Sequence, residues 1–254
     1  MSTAGAAAET RSSIARPHNF QTRPADHRFF SIMSVITSVT IVAGFWHTYL
    51  PKILSGTPAL PPIIHVHAAI FTSWLVFYVL QTTLVLNGKT ALHRRLGIAG
   101  VVLAALMLVV GTATSITVTR LGDRGIPGVE FPDPAGFLLL NLNAVFVFAV
   151  LVAAGWYFRR SAQTHKRLML MATMSGLVGP GASRLPFASG KPPVIALLVL
   201  GFLFTGPIYD LVTRRRVHPA YLWSVALAFL AVPPIVLQLS ATTTWQRVAA
   251  ILLG

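Results

Sequence analysis

The sequence predicts an all-α polytopic membrane helix bundle of about seven transmembrane helices, with the N-terminus in the cytoplasm and the C-terminus outside. Three observations predict it. Hydrophobic residues make up 54% of the 254-residue chain and charged residues only 10%, where an ordinary soluble domain has about 25% charged. The apolar residues fall in long runs: no Asp, Glu, Lys or Arg occurs between Lys52 and Lys89, Arg95 and Arg120, Asp133 and Arg159, or Arg216 and Arg247. A hydrocarbon core of about 30 Å takes about 20 helical residues to cross, and only helix satisfies the backbone there. Finally, Lys and Arg alternate in density from loop to loop, as the positive-inside rule requires.

Taken in order, residues 1–28 read as a disordered cytoplasmic tail, polar and carrying Arg11, Arg16, Arg23 and Arg28. No apolar segment of the kind found in a cleaved secretory signal follows the start. The transmembrane domain, 29–240, divides into spans at 29–50, 63–87, 96–119, 135–158, 168–189, 193–213 and 219–240. The fifth span contains Gly179-Pro180-Gly181 and then Arg184, so it is expected to be kinked, broken or re-entrant. Pro233-Pro234 is expected to kink the seventh. Residues 241–254 form a short amphipathic tail around Trp245 and Arg247.

Orientation follows from the basic residues. Fourteen of the twenty lie in inner segments: the four tail arginines; Lys89, Arg94 and Arg95; Arg159, Arg160, Lys166 and Arg167; and Arg214, Arg215 and Arg216. Lys52, Arg120, Arg124, Arg184, Lys191 and Arg247 remain for the outside. The net charge of +14 is therefore a topology signal and a set of lipid headgroup contacts, not a nucleic-acid surface. The expected setting is a bacterial inner membrane, with lipids and other membrane subunits as partners.

Several chemistries are excluded. Without cysteine there are no disulfides, thiolate metal sites, Fe–S clusters or covalent c-type haem. Gly88-Lys89-Thr90 lacks the first glycine of a phosphate-binding loop, since position 83 is Thr83. No lysine lies within a span to carry a retinal Schiff base. No zincin or Ser-His-Asp pattern is present, and no catalytic residue is assigned.

The chemical lead is histidine. His93, His165 and His218 fall at the inner ends of the third, fifth and seventh spans. Three histidines at one depth can ligate a metal or a haem iron, and imidazole suits Fe, Cu and Zn. The alternative is plain: interfacial His, Arg and Lys often meet only headgroups. Asp210 is the one acid within a predicted span. It lies at the depth to orient one of these histidines or to pair with Arg94, Arg95 or Arg167, and intramembrane acids are costly. Met169 stands four residues from His165, on the same helix face, where a thioether can ligate haem or Cu(I) or simply fill space.

A second group lies at the outer end. His67, Trp74 and Gln81 are seven apart and share a face of the second span, while His47, Gly44, Thr40 and Thr37 share a face of the first. These stripes are expected to meet and set His47 against His67, as cofactor ligands or as a polar seam between helices. Gly97, Gly100, Ala104 and Gly111 give the third span a small-residue face.

The segments His65-Val66-His67 through Trp74 and Gln81, His93-Arg94-Arg95-Leu96-Gly97, His165-Lys166-Arg167-Leu168-Met169, and Asp210 with His218-Pro219 resemble a family of uncharacterised bacterial multi-pass membrane proteins. The resemblance covers roughly residues 40–225 and implies a membrane location and a helical fold. A fainter likeness, through His-Arg pairs at helix ends, is to haem-handling membrane proteins of the haem A synthase and oxidase-assembly type. It implies haem or a His-ligated metal as cofactor, in electron transfer or respiratory-complex maturation. The pattern of b-type cytochromes with two histidines about four turns apart on one helix is absent. The reading from a different class is a non-catalytic membrane protein, a small transporter or assembly partner, with no cofactor.

Overall fold

Proline and glycine punctuate the helices. The computed structural model describes residues 23–56, 59–123, 125–126 and 129–254, with only the backbone described at 125, 126 and 129. Helix α1 (Pro24–Ser55) opens on a proline, with Asp26 in its first turn, and closes at Gly56 in the left-handed region at φ 66°. It starts five residues before the expected boundary at 29; residues 1–22 of the expected tail lie outside the described residues. Helices α2 (Pro62–Leu86) and α3 (Thr90–Arg120) follow. A small antiparallel hairpin, β1 (Gly125–Ile126) on β2 (Val129–Glu130), links α3 to α4 (Pro134–Tyr157). Asp133 caps α4 by accepting from the Gly136 N–H at 2.8 Å, which satisfies one of the free amides of the first turn.

Helix α5 (Ala162–Ala182) runs through Gly179-Pro180-Gly181 and is not broken there. Pro180 is the third-last residue of the helix, where a lost backbone bond disturbs little that follows. Its carbonyl accepts from Ser183 Oγ at 2.9 Å and Arg184 Nη1 at 2.8 Å, which satisfies an otherwise free helix terminus. Residues 183–191 are a turn-rich connection to α6 (Pro192–Arg214), which ends on Arg215 at φ 57°.

The seventh span is the one that breaks. Helix α7 (Pro219–Ala228) passes through a 3-10 turn at Phe229–Ala231 into α8 (Pro233–Ser240), bent by 53°. Val232 is extended, as a residue before proline must be. The amphipathic tail is helix α9 (Thr243–Leu253). It is tied down by Trp245 Nε1 donating to the Ala135 carbonyl at 2.9 Å and Arg120 donating to the Leu252 carbonyl at 2.7 Å.

Among the described residues, five helices are long and apolar enough to cross a membrane, or six if the bent α7–α8 pair is one span. Helix α5 falls short of that test for a physical reason. It is the axle of the bundle, packed against α1, α4, α6 and α7, so its surface is covered by protein. Leu170, Met171, Ala172, Thr173 and Val178 are each fully buried. The outer helices instead show large apolar side chains to their surroundings, among them Val39, Val76, Val109, Leu197 and Val212. An apolar belt on that scale belongs in lipid. The protein is membrane-embedded, with its largest apolar core built around α5.

Candidate functional site

The end of the bundle that holds the Lys and Arg excess also holds the buried charge. Arg167, in the second turn of α5, is fully buried and faces Asp210 on α6, also fully buried. The guanidinium is bidentate: Nε donates to Oδ2 at 2.8 Å and Nη2 to Oδ1 at 2.5 Å. Its Nη1 donates to the Gln163 carbonyl and to Gln163 Oε1. The planar fork of arginine matches a carboxylate in this way, and lysine cannot reproduce it.

A second carboxylate joins the network from an unexpected place. Asp26, assigned by sequence to the tail, is fully buried. It accepts from Lys166 Nζ at 2.6 Å, from Arg214 Nη2 at 2.6 and 2.7 Å, and from Tyr209 Oη at 3.0 Å. Phe29 stacks on Tyr209 at 3.8 Å. Arg214 also reaches Asp210 Oδ1 at 3.3 Å, so two carboxylates and three cations bind α1, α5 and α6 into one network. The sequence signal was there: Pro24 followed by an acid two residues later is a helix start.

Asp210 therefore pairs with Arg167, and Arg94 and Arg95 are exposed. It also accepts from the His218 main-chain N–H at 3.2 Å. His218 is the N-cap of α7, and its Nδ1 accepts from the Ala220 N–H at 3.1 Å. The expected convergence of His93, His165 and His218 does not form. Helix α3 packs mainly on α2 and α4, while α7 packs on α5, so the three spans do not surround one pocket. Among the described residues no three His, Asp or Glu side chains group so as to hold a metal.

What the structure does bring together is His93 and His165. Their ring planes stand at 73° with centroids 6.1 Å apart. His165 Nδ1 lies 2.8 Å from the Gly155 carbonyl on α4. A carbonyl only accepts, so Nδ1 carries the proton and Nε2 keeps its lone pair. His93 Nδ1 is buried without a hydrogen-bond partner. Met169 packs beside Gly155, where its Sδ lies 2.8 Å from the position a Cβ there would take.

The outer group is arranged differently from the expected His47–His67 contact. His47 is exposed. His67 stacks on Phe71 at 3.9 Å, and α1 meets α2 through Tyr49 Oη and His65 Nδ1 at 2.8 Å. The stripe on α2 is real as a buried face: Trp74 and Gln81 are both buried, and Trp74 Nε1 donates to Thr173 on α5 at 3.3 Å. Arg184 caps this end, its guanidinium over the Phe45 ring at 4.6 Å.

No family model, curated protein or solved structure matches this chain. Geometry must therefore carry the functional reading.

One titration follows from the cap. Burial, with Arg167 close by, pushes the His218 imidazole down to about 4 from its ordinary value near 6.5. The neutral ring is the form that accepts from Ala220. A group with a depressed folded value stabilises the fold above its unfolded pKa and loses that contribution as pH falls toward its folded one. The melting temperature in detergent should thus decline between about pH 6.5 and 4 more steeply in the parent protein than in His218→Asn, where a non-titrating cap remains. Parallel declines in the two proteins would rule out His218 as the source.

Proposed function

We propose that the protein binds a transition metal, as haem iron or as a free ion, at the His93–His165 pair of its basic end, and that this centre serves electron transfer or respiratory-complex maturation. The observation that carries the reading is the pair itself. Two imidazoles from α3 and α5 lie 6.1 Å apart between centroids. Metal–nitrogen bonds of about 2.0 Å would set two opposed imidazole centroids about 6 Å apart. The Gly155 carbonyl orients His165 in the way metal-ligating histidines are commonly held through their other ring nitrogen.

The rival reading, a transporter or assembly partner without cofactor, is favoured by the ion network. Asp26 and Asp210 already engage Lys166, Arg167 and Arg214, so these basic residues need no ligand to explain them. The two readings part on one measurement. Protein purified in mild detergent from cells supplied with haem and metals should show either a Soret band that shifts on reduction or about one equivalent of bound metal. His165→Ala should lose that signal while still eluting as a folded species. A colourless, metal-free parent protein would sink the first reading.

A further inference from the structure

The bend between α7 and α8 opens the backbone, and one side chain of α4 answers it. In a continuous helix the carbonyls of Phe229, Leu230 and Ala231 would accept from the N–H groups four residues on. Pro233 and Pro234 have no N–H to give, and Ile235 gives its own to the Val232 carbonyl at 3.1 Å. The Val232 N–H turns back to Phe229 at 3.2 Å, and the Leu230 carbonyl is taken by Asn143 Nδ2 at 3.0 Å. Asn143 lies well inside α4, about 14 Å along the helix from Pro134 and about 21 Å from Tyr157. Its Oδ1 accepts from nothing among the described residues.

Irregular backbone at that depth is stable only where protein covers it or water reaches it. The chain does not cover this place itself, since Phe229 and Leu230 are exposed. Water does not suit it, because the surface around it is apolar. Trp223 is exposed on α7, and the only exposed residues of α4 are Phe146, Val150, Ala153 and Tyr157. With Asn143 they follow one another at spacings of 3, 4, 3 and 4, the seam by which two helices pack side by side at a small angle. We propose that a second copy of this chain covers the face, its α4 packing on this α4 about a two-fold axis along the membrane normal, with Asn143 at the centre. Two copies inserted the same way hold Asn143 at one depth. A carboxamide carries two N–H donors and an acceptor oxygen. Each Nδ2 gives one proton to Leu230 of its own chain and the other to Oδ1 of its twin, so the pair is self-complementary, as a two-fold interface requires. Side-chain amides bonded across helices are glue in lipid. An unlike partner would have to bring an amide to the same depth; a second copy brings it by symmetry. The inference is independent of the histidine pair.

The chain has no cysteine, so single cysteines report contacts without background. Val150→Cys lies on the seam, and Val109→Cys lies on the exposed side of α3. Each full-length variant is oxidised with copper phenanthroline in membranes and run on a non-reducing gel, and the mass of the parent in mild detergent is read by sedimentation equilibrium. Val150→Cys should give a band at twice the monomer mass, Val109→Cys should not, and the parent should sediment as a dimer. Asn143→Leu should weaken the dimer about tenfold or more. If Asn143→Leu fails to elute as a folded species, the two cysteine variants and the parent's mass decide. A monomeric parent with no cross-linked band overturns the interface. Equal bands from Val150→Cys and Val109→Cys, the mark of random collision, overturn it as well. A folded Asn143→Leu that dimerises as the parent does overturns the amide pair at the centre.

Discussion

Arg167→Ala is expected to remove most of the folded protein. The substitution leaves Asp210 fully buried with only the longer 3.3 Å contact from Arg214 and the His218 amide to hold its charge. Removing one partner of a buried ion pair costs about 3–5 kcal/mol, a large share of a domain's total stability of about 5–15 kcal/mol. Asp210→Ala should be comparably damaging, because it removes the carboxylate from a fully buried guanidinium. Arg167→Lys should not rescue, since an ammonium cannot make the bidentate contact. The double variant Arg167→Met, Asp210→Leu should recover much of the loss, because no charge is then left alone in the core. Thermal stability in detergent, read by gel filtration after heating, ranks the four proteins. A single variant as stable as the parent would show that the pair does not hold the bundle together.

This network also shows why the basic end of the bundle was only half legible from sequence. Charge counting places Lys166, Arg167 and Arg214 at one end and notes Asp210 among them, because an acid inside an apolar run stands out. It does not find Asp26, which lies within the polar segment 1–28 and reads as part of it. Its role depends on α1 beginning at Pro24, and helix ends are the least readable feature of a sequence. Helix α5 was obscure for a related reason. Hydropathy reports contact with lipid, and α5 has little; its Met171, Thr173, Met174 and Gly181 are buried among the other helices.

Phase along one helix proved easier to read than contact between two. The spacing of His67, Trp74 and Gln81 marks a face of α2, and Trp74 and Gln81 are indeed buried. Which face of α1 meets it is a question of crossing angle and rotation, and the expected His47–His67 contact gives way to Tyr49–His65. The inner histidines follow the same logic. Their common depth was legible, but depth does not make neighbours. Only His93 and His165 share an interface, while His218 turns to cap α7 beside Asp210.

The second large effect is expected where no charge and no ligand is involved. Gly44→Leu should prevent α1 from seating on α5. The two helices cross at glycine against glycine. A Cβ on Gly44 would lie 1.9 Å from the Gly181 carbonyl oxygen, and one on Gly181 would lie 2.7 Å from Ile41 Cα. Both obstacles are backbone, so no rotamer change relieves them, and the helices would have to separate. Close backbone approach at small residues is a main source of helix association in lipid, where apolar burial gives no advantage over the acyl chains. Separation would do more than lose that packing. The same helix carries Asp26, and a tilt at Gly44 must be taken up at the far end, where Asp26 sits 2.6 Å from both Lys166 and Arg214. Gly44→Ala should therefore already lower the melting temperature in detergent, and Gly44→Leu should abolish the monodisperse species. The control is Gly201→Leu on α6, where a Cβ meets nothing within 4 Å, and this protein should behave as the parent does. Equal behaviour of Gly44→Leu and Gly201→Leu would mean that α1 is not held to α5 by this crossing.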